Sequence, residues 1–188
     1  MSLKDYVKNK TEIMTDRLIL RKMKKSDVSS LIEWMPDKSI YDYWGKGPSI
    51  TDKDPNKLFS KKEKETKSFH LGIALKEENA VIGEIWVYLI ENDRMAKVAI
   101  RIGKKWKGNG YAKDALKIMT YFIFNNTEIK KLWTDVDVRN IPSIKVLEAC
   151  GYKREGLIRQ DKMVNTWCDY YIYGIIYKNI RGKKWKMS

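Results

Sequence analysis

Histidine, cysteine and long apolar runs are scarce in this 188-residue chain. It has one histidine, His70, and two cysteines, Cys150 and Cys168, which lie far apart and form no CxxC motif. With so few soft ligands we expect no metal site, and both thiols are expected to be reduced structural residues of a cytoplasmic protein. No apolar run approaches the roughly 20 residues of a membrane-spanning helix. The first residues also lack the apolar core of a signal peptide, so no membrane association is expected.

Positive charge, by contrast, is abundant. Lysine and arginine total 38 against 24 acidic residues, a formal net charge of +14, within an ordinary globular composition. Basic runs occur at residues 22–25, 61–67, 104–107 and 181–186. Such runs commonly only keep a protein soluble, but they are also typical of surfaces that bind nucleic acid or a ribosome. A non-catalytic module that binds RNA or the ribosome is therefore the less favoured alternative for this chain.

The most informative segment joins an apolar strand to an amphipathic helix through a glycine-rich turn. The strand covers residues 98–102, and the turn contains Gly103, Gly108 and Gly110. Apolar residues of the helix recur at steps of three and four: Ala112, Ala115, Leu116, Met119, Phe122 and Ile123. Such a junction directs the free N–H groups of the first helical turn, and the positive end of the helix dipole, at one point. Glycine lets anionic oxygens come close, so the segment predicts a phosphate or pyrophosphate site.

Two common glycine-rich loops do not fit this segment. A nucleotide P-loop needs Gly-Lys-Ser/Thr, whereas Gly110 is followed by Tyr111 and Ala112. A dinucleotide fingerprint needs a third glycine where Lys113 stands. Residues 105–110, KWKGNG, instead resemble the coenzyme A pyrophosphate loop of the GCN5-related N-acetyltransferases (GNAT), Gln/Arg-x-x-Gly-x-Gly/Ala, with Lys105 in the first position. A plain tight turn between strand and helix is the alternative interpretation of the hexapeptide alone.

Other landmarks follow in the order of the same family. Residues 15–21, TDRLILR, resemble the first strand of the branch that includes the ribosomal-protein alanine N-acetyltransferases. Residues 138–152 resemble its Asn-x-x-Ser helix start and Gly-Phe/Tyr helix stop, and residues 154–156 and 167–170 resemble its last two strands. The resemblance extends from about residue 15 to 177, and it predicts a single acetyltransferase domain over residues 1–188.

The periodicity predicts an α/β (α+β) fold with a mixed, mostly antiparallel sheet flanked by helices. Ser26 is a candidate N-cap for the first helix, and Asp54-Pro55 is a strong signal for a helix start. The aromatic segment from Tyr41 to Trp44 is expected to cover the acceptor cleft. Strands are predicted at 17–23, 69–76, 80–90, 95–102, 130–138, 152–160 and 167–177, and helices at 26–35, 55–67, 109–125 and 141–149.

The family resemblance implies an acetyl-CoA-dependent N-acetyltransferase, monomeric or homodimeric. Its amine substrate would be a protein N-terminus, a polyamine or an aminoglycoside. In this family the strand before the loop binds the pantetheine arm through its backbone, and the loop amides bind the pyrophosphate. The cofactor-binding residues implied here are Ile100, Arg101, Ile102, Lys105, Lys107, Gly108, Asn109, Gly110, Tyr111, Ala112, Asn140 and Ser143.

Direct attack of an amine on a thioester needs a neutral amine, a proton acceptor and a donor for the leaving thiolate. The resemblance places Ser143 near the thioester sulfur, where it is the candidate donor; the alternative is that Ser143 and Asn140 only cap a helix. Glu84, Asp169 and Asp137 are the candidates for holding or deprotonating the amine. Each of these carboxylates is equally explained as a surface charge or a turn residue.

Overall fold

One continuous sheet organises the computed structural model, which describes residues 12–43, 68–89, 94–163 and 166–179. Its eight strands have the order β1-β2-β3-β4-β5-β6-β8-β7. The strands are β1 Ile13–Met14, β2 Leu18–Arg21, β3 Ser68–Leu75, β4 Val81–Leu89, β5 Met95–Ile102, β6 Lys131–Asp137, β7 Lys153–Met163 and β8 Thr166–Ile176. The α-helices of the described residues are α1 Val28–Trp34, α2 Tyr111–Asn126 and α3 Ile141–Ala149. The predicted helix at 55–67 and the aromatic stretch beyond Tyr43 lie outside the described residues.

Strand pairing confirms the predicted fold class. Neighbouring strands are antiparallel throughout, except for β5 and β6, which run parallel. The crossover between these two is α2, as expected for parallel strands that need a long connection. Strand β1 was not predicted, because two residues are too few to show a periodic pattern.

The start of the first helix differs from the prediction. Ser26 does not cap it; the residue lies inside a 3-10 turn, Lys25–Asp27, that leads into α1. The Asp27 carboxylate accepts the Lys24 N–H at 2.7 Å and binds both terminal nitrogens of Arg21 at 2.8 Å. Because Arg21 and Asp27 are both buried, this ion pair fixes the turn. The cap prediction was wrong because a contact from a neighbouring strand determines the local conformation.

Helices cover the sheet on both faces and so position the glycine turn. Buried residues of α2, including Leu116, Met119 and Ile123, pack in the main core, together with Leu147 of α3. A second cluster forms around α1, where the Trp34 indole N–H donates to the Val81 carbonyl at 2.9 Å. In the described part of the chain, no helix is long and apolar enough to cross a membrane. Those residues also contain no group of three or more potential metal ligands.

Candidate active site

The site is built around a gap between the two parallel strands. Strands β5 and β6 pair only from Met95 to Lys97 opposite Lys131 to Trp133. β5 continues to Ile102 and β6 to Asp137, but over those residues the two strands do not pair with each other. A wedge therefore opens towards the glycine turn, bordered on both sides by strand backbone.

The direction of the β5 peptides decides which residues face this gap. The Gly103 N–H donates to the Ile82 carbonyl of β4 at 2.8 Å. The N–H and C=O groups of successive residues in a strand point alternately to its two sides. The backbone groups of Arg101 therefore also point towards β4, whereas those of Ile100 and Ile102 point to the β6 side. A Cβ atom added at Gly83 of β4 would clash with the Arg101 carbonyl oxygen, which supports this orientation. Backbone contacts in the gap are thus available from Ile100 and Ile102, and not from Arg101.

The turn between β5 and α2 exposes the start of the helix. Gly108 has a φ of 84° and Gly110 a φ of 80°, the left-handed region that favours glycine. Gly110 is the N-cap of α2 and provides no side-chain hydrogen bond, so the first N–H groups from Tyr111 onwards have no acceptor within the helix. A Cβ atom at Gly108 would meet no other atom within 4 Å. Free amides at the start of a helix are a general binding site for phosphate groups.

Two side chains of the glycine turn form hydrogen bonds within the turn or to α1, and not to the start of α2. The Asn109 side chain donates to the carbonyls of Trp106 and Lys107 at 3.2 and 3.3 Å. The Lys105 ammonium lies 2.7 Å from the Glu33 carboxylate of α1, and this hydrogen bond raises the pKa of Lys105. Lys105 is therefore engaged with α1, and Lys107 is exposed.

Helix α3 begins shortly after the end of β6, one of the two strands that border the gap, and its start contains Asn140 and Ser143. The Asn140 Oδ1 atom accepts the Ser143 N–H at 3.2 Å, so Asn140 is the N-cap of α3, with Pro142 in the first turn. Ser143 contributes its N–H group to this cap and not its hydroxyl. Asn140 therefore caps the helix, as the alternative interpretation states. The Ser143 hydroxyl is half-buried and does not cap the helix.

Asp137 ends β6 next to this helix start. Its carboxylate accepts the Arg139 backbone N–H at 2.8 Å and binds the Arg139 guanidinium at 2.6 and 2.9 Å. These bonds lower the pKa of Asp137, which stays ionised although it is buried. The neighbouring strand contributes Tyr170, whose hydroxyl lies 2.6 Å from the Cys168 sulfur. Burial raises the pKa of Tyr170 and keeps its proton in place.

Glu84 is held in a buried ion pair on the α1 side of the sheet. Its side chain is completely buried, and its Oε2 atom accepts the Arg101 Nε–H at 3.0 Å. The His70 Nε2 atom lies 3.3 Å from the other carboxylate oxygen. The rings of Trp34, Tyr41 and Trp86 surround the Arg101 guanidinium, with centroids 5.7, 5.0 and 4.8 Å away. This environment favours a positioning role for Glu84 over the predicted role as proton acceptor.

Asp169 stabilises the β7–β8 hairpin. Its Oδ1 atom accepts the N–H of Gln160 at 2.9 Å, and Gln160 has a φ of 50°. The register of the hairpin shifts at this point, between Ile158 and Asp161. Asp169 therefore has a structural role, because its carboxylate stabilises the bulge residue Gln160. Of the three candidate carboxylates, only Asp137 ends a strand that borders the gap.

Comparison with known proteins identifies the family of this chain. The profile of the acetyltransferase (GNAT) domain matches residues 17–153. The chain belongs to the GNAT family of acetyltransferases. A curated relative, the uncharacterized N-acetyltransferase p20 of Bacillus licheniformis, is 26% identical over 176 residues, covering 90% of this chain and 98% of the relative. The GNAT family uses acetyl-CoA as its acetyl donor.

Solved structures of the family superimpose closely on this acetyltransferase. A GNAT acetyltransferase from Bacillus anthracis gives a TM-score of 0.79 at 24% identity, covering 89% of this chain and 99% of that one. Spermidine N-acetyltransferase from Vibrio cholerae, solved with CoA and spermine, gives 0.73 at 20% identity, covering 86% and 96% of the two chains. At this level of identity the likeness shows that the fold is shared.

Proposed function

We propose that this acetyltransferase transfers the acetyl group of acetyl-CoA to a primary amine. The observation that carries the proposal is the coincidence, in one place, of the β5–β6 gap, two left-handed glycines and the uncapped start of α2. The acceptor classes are a protein N-terminus, as in the ribosomal-protein alanine branch, a polyamine and an aminoglycoside.

In this proposal the chain holds the cofactor mainly through its backbone. The amides from Gly108 to Ala112 bind the pyrophosphate, with the charges of Lys105 and Lys107 at the edge of the loop. The peptide groups of Ile100 and Ile102, together with Asn140 across the gap, bind the pantetheine arm. When bound, acetyl-CoA supplies an acetyl group activated as a thioester.

We propose that few residues take part in the proton chemistry. The Ser143 hydroxyl, which is not the cap of α3, is the proposed hydrogen-bond donor to the leaving sulfur. Glu84 positions Arg101 and Asp169 supports the hairpin. Asp137 is bound to Arg139, and these bonds lower its pKa and make it a weak base, so we propose that the amine loses its proton to solvent before attack. Apparent activity should then rise with pH until the acceptor amine is neutral.

Ser143→Ala tests the assignment of the donor. If the hydroxyl bonds the leaving sulfur mainly in the transition state, kcat and kcat/KM should fall together by roughly tenfold or more, with little change in acetyl-CoA affinity. Because Asn140 provides the cap, the melting temperature should hardly change. Asn140→Ala is the matched control and should lose about 1 kcal/mol of stability. Wild-type turnover in a folded Ser143→Ala variant would remove Ser143 from the mechanism.

A thermal-shift assay separates the enzyme from the RNA- or ribosome-binding alternative. A ligand that binds only the folded state raises the melting temperature as its concentration exceeds Kd. We expect stabilisation by acetyl-CoA that persists at high salt, and none by an unstructured RNA oligonucleotide under the same conditions. Stabilisation by RNA alone would favour the binding module.

A further inference from the structure

Arg17, in the turn between β1 and β2, reaches across the molecule to the start of α2. Its Nη1 atom donates to the Asn109 carbonyl at 3.1 Å. Its Nε atom donates to the Asp114 carboxylate at 3.1 Å, and Nη2 binds the same oxygen. The guanidinium also lies over the Tyr111 ring, 4.9 Å from the ring centroid. One side chain thus contacts the residues on both sides of the Gly110 N-cap.

Asp114 poses an electrostatic problem for an anion site at this position. It lies in the first turn of α2, and its side chain is only 9% exposed. A carboxylate there is favourable for the helix dipole, but it repels any phosphate that approaches the same N–H groups. A poorly hydrated carboxylate is weakly screened by solvent, so its charge must be balanced by a protein cation.

We infer that Arg17 is a positioning residue of the cofactor loop, which neutralises Asp114 and so permits the pyrophosphate to bind at the start of α2. Its bond to the Asn109 carbonyl also fixes the peptide that precedes Gly110. This inference rests on the proposed function, because it assumes that the start of α2 receives the pyrophosphate. Lys105 occupies the motif position but pairs with Glu33 of α1, so it cannot perform this neutralisation.

A double-mutant cycle that removes each charge in turn tests the inference. By calorimetry with CoA, Arg17→Met should raise Kd at least about tenfold, whereas Arg17→Met/Asp114→Asn should return within about threefold of the wild type. Asp114→Asn alone should bind CoA at least as tightly as the wild type. Arg17→Lys keeps the charge but loses the fork that also reaches the Asn109 carbonyl, so its affinity should lie between those of Arg17→Met and the wild type. Lys130→Met is the matched control: its ion pair with Glu128 is largely exposed and lies beyond the opposite end of α2, and a change of about threefold or less is expected.

Melting curves of the same variants distinguish loop electrostatics from a structural role. If Arg17 served only the fold, Arg17→Met would melt earlier, while the Kd measured below its melting temperature would equal that of the wild type; that result overturns the inference. A double variant as weak as Arg17→Met also overturns it. If Arg17→Met does not fold, Asp114→Asn and the double variant decide the outcome, and a tenfold loss of CoA affinity in Asp114→Asn contradicts the inference. A wild-type protein that does not bind CoA would instead contradict the proposed function.

Discussion

Gly110→Val should remove detectable acetyl-CoA binding while the protein stays folded. A valine at a φ of 80° is strained, by about 1–2 kcal/mol, and its Cβ atom would lie 3.3 Å from the Arg17 Nη2 atom, so the turn would have to move together with its amides. A hydrogen bond to a charged group contributes roughly 1.5–3 kcal/mol, so the loss of two such bonds should weaken binding by more than about a hundredfold. Calorimetry, with circular dichroism to confirm folding, gives the result.

Gly156→Val is the control for this variant. Gly156 lies on β7, has no positive φ, and a Cβ atom added there would meet nothing within 4 Å. We expect wild-type affinity from this substitution. A folded Gly110→Val variant with the wild-type Kd would show that the pyrophosphate binds elsewhere.

The second large effect concerns stability. Glu84→Gln or Arg101→Met should each lower the free energy of unfolding by about 3–5 kcal/mol, because either change leaves a buried charge without its partner. The double variant Glu84→Gln/Arg101→Met should lose less than the sum of the single losses. Urea denaturation of the four proteins measures all these values.

A more exposed ion pair in the same sheet provides the control. Lys97 and Asp135 lie 2.8 Å apart, with side chains 29% and 25% exposed, against 10% and 0% for Arg101 and Glu84. Lys97→Met should therefore cost only about 1 kcal/mol or less. If Glu84→Gln abolished turnover without a loss of stability, Glu84 would be the proton acceptor after all.

Elements with strong local signals could be predicted from the sequence. Helix α3 matches its predicted bounds, because Asn140 and Pro142 define its start and Gly151, with a φ of 82°, follows its end. The strands matched to within a few residues because apolar runs separated by turn residues are clear. The Ser26 cap was wrongly predicted because the local conformation depends on a tertiary ion pair. Strand β1 was missed because it is too short to show a periodic pattern.

The sequence predicts only those parts of the candidate site whose residues are contiguous in the chain. The glycine turn is such a part, and its geometry fits the predicted anion site. Arg17 is 97 residues from Asp114 in the sequence, and nothing near either residue indicates their contact. The peptide direction that excludes Arg101 from the gap depends on the register with β4, which a single sequence does not contain. The environments of Glu84 and Asp169 likewise depend on partners from other strands.

Acetyl transfer itself is the most direct test of the proposed function. Purified protein, acetyl-CoA and an amine are incubated, and mass spectrometry is used to compare the acetylated amine with the CoA released. Peptides with a free N-terminal alanine, spermidine and an aminoglycoside represent the three acceptor classes. We expect one class to gain a single acetyl group in equal amount to the CoA formed, and Gly110→Val to give no product. Binding of acetyl-CoA with no acetylated product from any of the three classes would contradict the proposed function.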